Sequence, residues 1–342
     1  MLGPVFLGVI LVVGQVSPKP IPPGIPIPLP EGSSGIGFDD LQFSSRLGKL
    51  LVPGGRTGSL FLVDPKDGAI SAIQGFSPAS EYRGGHGEGI TSVSENERRL
   101  FVTDRTSLAL AVVDPAAGRI ESRATLSASP DYVRFVGPTA EIWVTEPDAD
   151  RIEIFRLASD PADRAPVHAA DIAVPNGPES LVIDATRGRA YTHLWKGATL
   201  AIDLKSRRVV GRWNNECLDS RGIALDEKKG YVFAACADGR AVVLDAAHDG
   251  RILSSVKTRA LGVDIIDYDR TLHHLYVPGG KNGMLAILTV GPAGELGEVG
   301  DTASPPGGHC VVSDQNGRAF VCDPKRGRLV AFTDPYPRAE WR

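Results

Sequence analysis

The chain has 342 residues, is 42% hydrophobic and 23% charged, and carries a formal net charge of −4. That composition excludes disordered and fibrous classes, and the near-neutral balance argues against a basic nucleic-acid footprint. Thirty-nine Gly and 26 Pro against only two Met favour many short strands and tight turns over long helices.

Residues 1–16 contain no charged side chain, and Pro4 to Val13 form an apolar run of ten. Ten residues are too few to span a bilayer, which needs about 20. The run fits the apolar core of a signal peptide, with cleavage near residues 14–17; a buried strand is the alternative. No later segment approaches membrane length, so the mature chain is expected to lack a membrane span and to be periplasmic or extracellular. Residues 24–342 read as a single domain.

From residue 42 onward one pattern recurs: two strands joined by a short polar turn, then a third strand often ending in Asp. Aligning the second strands yields one column: Leu51, Phe101, Trp143, Tyr191, Phe233, Tyr276 and Phe320, spaced 50, 42, 48, 42, 43 and 44 residues apart. Six of the seven are aromatic in a chain that is 6% aromatic, so the register is no accident. An apolar residue stands eight positions earlier in each case: Phe43, Val93, Phe135, Ile183, Leu225, Tyr268 and Val312. Each pair is expected to span one hairpin of constant length. Repeats of ~40–45 residues with four strands each predict an all-β, seven-bladed β-propeller with four antiparallel strands per blade. The aromatic column then serves packing between blades. Asp64-Pro65, Asp114-Pro115 and Asp334-Pro335 read as turn starters. Blade seven lacks a fourth strand, and the N-terminus has a spare one in residues 24–30. That segment is predicted to close the ring, its proline-rich edge tolerable only on an outer strand.

The segments Lys229-Gly-Tyr-Val-Phe233, Arg240-Ala-Val-Val-Leu-Asp245 and Leu275-Tyr-Val-Pro-Gly-Gly280 resemble the YVTN-repeat, YncE-like propellers of bacteria. The resemblance covers nearly all of the mature chain. A literal Tyr-Val-Thr-Asn is absent; Phe101-Val-Thr-Asp104 and Trp143-Val-Thr-Glu146 come nearest. The resemblance implies a secreted or periplasmic protein. Some such propellers bind ligands or nucleic acid, and related ones are lactonases.

The four cysteines contain no C-x-x-C pair. The Asp314-Gln-Asn-Gly317 turn sets Cys310 opposite Cys322, and Cys217 and Cys236 fall on one rim of blade five. Two local disulfides, Cys217–Cys236 and Cys310–Cys322, are therefore expected, with buried free thiols as the alternative.

In a propeller the first strand of each blade lines the central channel, so residues before those strands ring one mouth. They are Asp39, Asp40, His86, Glu88, Asp131, Glu179, Arg221, Asp264 and His309; the second-strand ends add Asp104, Glu146, His193 and Trp195. Gly85-His-Gly-Glu-Gly89 imitates a phosphate loop but leads into a strand, so its glycines are read as turn residues. Three functions compete. A monomer could bind a small molecule or a protein partner at this mouth, with Arg221 beside carboxylates placed to clamp a carboxylate-bearing ligand. A divalent metal on His86, Glu88 and His309, with Asp39 or Asp40 orienting an imidazole, could support hydrolysis of the lactonase type. The Asn ligands of calcium lactonase propellers, however, have no counterpart at these offsets. Rim loops such as Ser77–Gly85 and Ser159–Pro166 could instead scaffold other proteins.

Overall fold

The computed structural model describes residues 20–157 and 165–339. Residues 1–16, read above as a signal peptide, and most of the Ser159–Pro166 loop lie outside the described residues. Seven separate four-stranded antiparallel sheets form a seven-bladed β-propeller. The inner strands are Gln42–Ser44, Ile90–Glu95, Val133–Val136, Val182–Asp184, Ser220–Asp226, Asp267–Asp269 and Val311–Ser313. In six blades the strands follow in chain order; in the seventh, Ile25–Pro28 pairs with Arg328–Thr333 as the outer strand. The ring thus closes with the N-terminal strand, in the register Ile25↔Ala331 to Pro28↔Arg328.

Burial follows from each strand's place in its blade. Second and third strands pack between neighbouring blades on both faces, and strands such as Leu100–Asp104 and Thr57–Val63 are buried throughout. Among the outer strands, Arg119–Thr125 mixes exposed and half-buried residues and buries none fully. The aromatic column is core: Phe101, Trp143, Tyr191, Phe233, Tyr276 and Phe320 are all essentially without solvent contact. Two of its members bridge blades by ring contact, Phe101 with Phe135 at 5.5 Å and Phe233 with Tyr268 at 4.8 Å. The hairpins are not of constant length, however. Trp143 pairs with Arg134, nine residues earlier, whereas Phe101 pairs with Ser94 and Phe320 with Val312. Turn length varies between blades while packing keeps the aromatic in place.

The predicted turn starters hold their loops. Asp64 Oδ1 accepts from Lys66 N at 2.8 Å, Asp114 Oδ1 from Ala116 and Ala117 N, and Asp334 Oδ1 from Tyr336 N at 2.9 Å. Both disulfides form, with Cα–Cα distances of 5.3 Å for Cys217–Cys236 and 5.7 Å for Cys310–Cys322. A β-bulge recurs between the third and fourth strands of blades two to six, at Val112/Val113, Ile154/Phe155, Ala201/Ile202, Val243/Leu244 and Ile287/Leu288. Among the described residues no helix is long and apolar enough to cross a membrane.

Candidate functional site

The inner strands start at one end of the channel, and the chain delivers an ionisable side chain there from every blade. Asp39 enters from blade one, and His86 and Arg105 from blade two. Asp131 follows from blade three, Glu179 with Trp195 from blade four, Arg221 from blade five, Asp264 from blade six and His309 from blade seven. Glycine makes the approach possible at blade two. Gly89 has φ +71, and a Cβ there would meet the Gly55 carbonyl oxygen at 2.0 Å.

Two ion-pair networks result. In the first, Asp39 Oδ2 lies 3.0 Å from His86 Nδ1 and 3.3 Å from Arg105 Nη2, and the same guanidinium nitrogen bonds Asp131. In the second, Glu179 accepts from Arg221 Nη1 at 2.6 Å and from the Trp195 indole, and Arg221 Nε reaches Asp219 at 2.9 Å. Asp264 acts on both networks through space, on His86 and Arg105 and on Glu179 and Arg221. The His86 and His309 rings stack at 5.9 Å between centroids. His309 meets the carbonyl oxygens of Phe38 at 3.0 Å through Nε2 and Gly307 at 2.8 Å through Nδ1.

The electrostatics are unbalanced toward negative charge. The Asp39 carboxylate raises His86 to about 9, against the opposing effect of burial. Burial would raise Asp39, but His86, Arg105 and His309 outweigh it and hold its carboxyl down. Burial and then the facing Asp39 push Asp131 well up, and Arg105 offsets only part of this. Burial, with Asp264 adding to it, lifts Glu179 to about 7 despite Arg221 and Trp195. Several carboxylates therefore share too few cations in a partly dry space.

The remaining expected residues fall elsewhere. Asp40 turns down into the channel, where Arg134 grips it at 2.5 and 2.9 Å and Ser92 Oγ donates at 2.5 Å. It lines a cavity of about 610 Å³ together with Tyr132, over whose ring the Arg134 guanidinium lies at 4.9 Å. His193 does not line the mouth. It is fully buried between blades four and five, with Nε2 on the Gly222 carbonyl and Nδ1 on Thr199 Oγ1, and burial lowers it to about 4. Glu88 is half-buried in the Gly84–Gly89 loop and is not gathered with the two histidines; the three-donor set at the mouth is Asp39, His86 and Asp131. Asp104 and Glu146 are also turned aside. Asp104 accepts from Ser77 N at 2.9 Å, and Glu146 accepts from Arg151 Nε at 2.5 Å. The residue after Asp104, Arg105, is the one that reaches the mouth. Strand alternation was the signal for it, because consecutive side chains face opposite ways.

With this geometry in view, no protein-family model and no curated protein sequence matches the chain. Its likeness is to solved propellers. A chain of Kuenenia stuttgartiensis hydrazine synthase matches at TM-score 0.70 and 12% identity over 96% of this chain and 99% of that one. The Myceliophteria thermophila Cps50 (Swd1) β-propeller domain matches at 0.70 and 13%, over 88% and 98%. A chain of a mitotic checkpoint complex matches at 0.71 and 12%, over 98% and 100%. At such identities the likeness extends to the fold.

Proposed function

We propose that this is a binding propeller of the YVTN-like kind, working in the periplasm or outside the cell, whose channel mouth receives a cationic group. That group is an ammonium or guanidinium carried by a small ligand or by a partner loop. The two disulfides support an oxidising compartment. The observation that carries the reading is the convergence of Asp39, Asp131, Glu179 and Asp264 on a mouth where Arg105, Arg221, His86 and His309 oppose them among the described residues, and where Asp131 and Glu179 are raised all the same. A further cation would let Asp131 and Glu179 ionise, and the half-buried Trp195 ring beside Glu179 offers a face for it. Propellers of this shape occur in multi-protein assemblies such as the mitotic checkpoint complex, so a partner loop fits the fold.

The lactonase-type alternative needs the Asp39–His86–Asp131 donors for an ion. Here the Arg105 guanidinium already lies between the two carboxylates. Calorimetric titration with agmatine, which carries both an ammonium and a guanidinium, tests the proposal. Binding should tighten from pH 6 to pH 8, as Glu179 loses its proton, and should weaken at least tenfold in Glu179→Gln. Absence of binding by both agmatine and a lysine-bearing peptide, together with metal-dependent lactone hydrolysis, would favour the alternative.

A further inference from the structure

A second group of ligating side chains lies on the outer edge of blade three. Glu153 belongs to the third strand, Arg151–Leu157; His168 and Asp171 belong to the fourth, Pro166–Ala173. In a regular strand, residues three apart face opposite sides. Here Glu153 pairs with Asp171, Ile154 with Ala170 and Phe155 with His168, so Ala169 is an extra residue. The bulge returns His168 and Asp171 to one face, beside Glu153. Blade six repeats the device. Around the same bulge Glu298 and Asp301 come within hydrogen-bonding reach of each other, and Arg259 clamps Asp301. Blade six has Ala286 where blade three has Glu153, and only blade three adds an imidazole.

The donor geometry suits one ion. His168 Nε2 lies 3.3 Å from Asp171 Oδ1 and 3.8 Å from Glu153 Oε1, and all three donor atoms are within 4.8 Å of one another. An ion about 2.0–2.2 Å from each donor needs separations of this order. The supporting groups are in place. Ser127 donates to both Glu153 oxygens, from Oγ at 2.8 Å and from N at 3.1 Å. The Phe155 ring meets His168 edge-on at 5.9 Å, which sets the imidazole plane. Arg151, on the same strand as Glu153, is engaged by Glu146, whose Oε2 accepts from its Nε at 2.5 Å. His168 and Asp171 remain about half exposed, which gives an ion a route in and leaves room for water as a further ligand.

We propose that Glu153, His168 and Asp171 form a binding site for a divalent transition-metal ion of the zinc type. One imidazole with two carboxylates suits zinc better than calcium or magnesium, which prefer all-oxygen shells. The mouth trio differs because a guanidinium lies within it.

Titration of the chelator-treated full chain with cobalt(II), followed by its visible absorption, tests the site. One cobalt per chain is expected, displaced by zinc. His168→Ala and Asp171→Asn should each weaken cobalt at least tenfold, with circular dichroism unchanged because both side chains are half exposed. His86→Ala, at the mouth, should leave cobalt affinity as it is. Absence of a saturable band up to millimolar cobalt would overturn the proposal. So would a band that survives His168→Ala or Asp171→Asn, or one that His86→Ala abolishes.

Discussion

Arg105 is the group on which the mouth depends, and replacing it with Met removes the charge while keeping most of the volume. The guanidinium bridges Asp39 and Asp131, both almost wholly buried, and its own side chain is only 14% exposed. Its removal leaves two buried carboxylates facing each other, with His86 and, more weakly, His309 acting on Asp39. Removing one partner of a buried ion pair costs about 3–5 kcal/mol. The deficit has a definite pH dependence. Asp131 already sits above its ordinary value and would rise further without Arg105. A carboxyl raised in the folded state costs stability above its unfolded value, and the cost grows as pH rises toward the folded one. At low pH the proton removes it, leaving only the lost hydrogen bonds at about 1 kcal/mol each. Urea unfolding at pH 5 and pH 8 measures this directly. We expect Arg105→Met to lose about 3–5 kcal/mol at pH 8 and about 1–2 kcal/mol at pH 5. Adding Asp131→Asn should restore most of the pH 8 loss. Equal losses at the two pH values, or a loss below about 1 kcal/mol at pH 8, would refute the electrostatic account of the mouth.

Four further outcomes are expected. His86 is raised to about 9 by Asp39, so its pairing stabilises the fold below about pH 6.5, and that contribution fades as pH rises through 9. The stability gap between the protein and His86→Asn should therefore be wide at pH 6 and closed by pH 10; a constant gap would point to packing alone. Trp143→Ala empties a fully buried site and removes the indole bond to Glu141 Oε2 at 3.1 Å. It should cost about 3–5 kcal/mol in chemical denaturation. Each disulfide closes a short loop, of sequence separation 19 or 12, so each Cys-to-Ala pair should lose about 3 kcal/mol, read from unfolding midpoints. Deleting residues 24–30 exposes the Arg328–Thr333 edge and removes Leu29 and the half-buried Ile27, on the order of 4 kcal/mol. An unchanged melting temperature would contradict ring closure by this strand.

The propeller was legible in the chain because its signal is periodic. Seven copies of one hairpin put an apolar or aromatic residue at the same offset, and a residue wedged between two blades has little choice but to be large and apolar. The missing fourth strand of blade seven and the spare strand at residues 24–30 followed from counting, and the two disulfides from hairpin register. The mouth was legible only as a set of positions. Offset alone nominated Asp39, Asp131, Glu179, Arg221 and Asp264, and these converge, yet it also nominated His193, Asp104 and Glu146, which turn into the blades. One residue along a strand reverses a side chain's direction, and turn lengths that vary from blade to blade blur that count. Arg105 and Arg134 escape an offset count for this reason, although the same count marks their partners Asp39, Asp131 and Asp40. The Glu153–His168–Asp171 cluster was beyond the reach of pattern altogether, because the extra residue of a bulge changes which side chains share a face. Periodic burial is a local property repeated along the chain; which charges meet depends on bulges, turns and the closing of the ring.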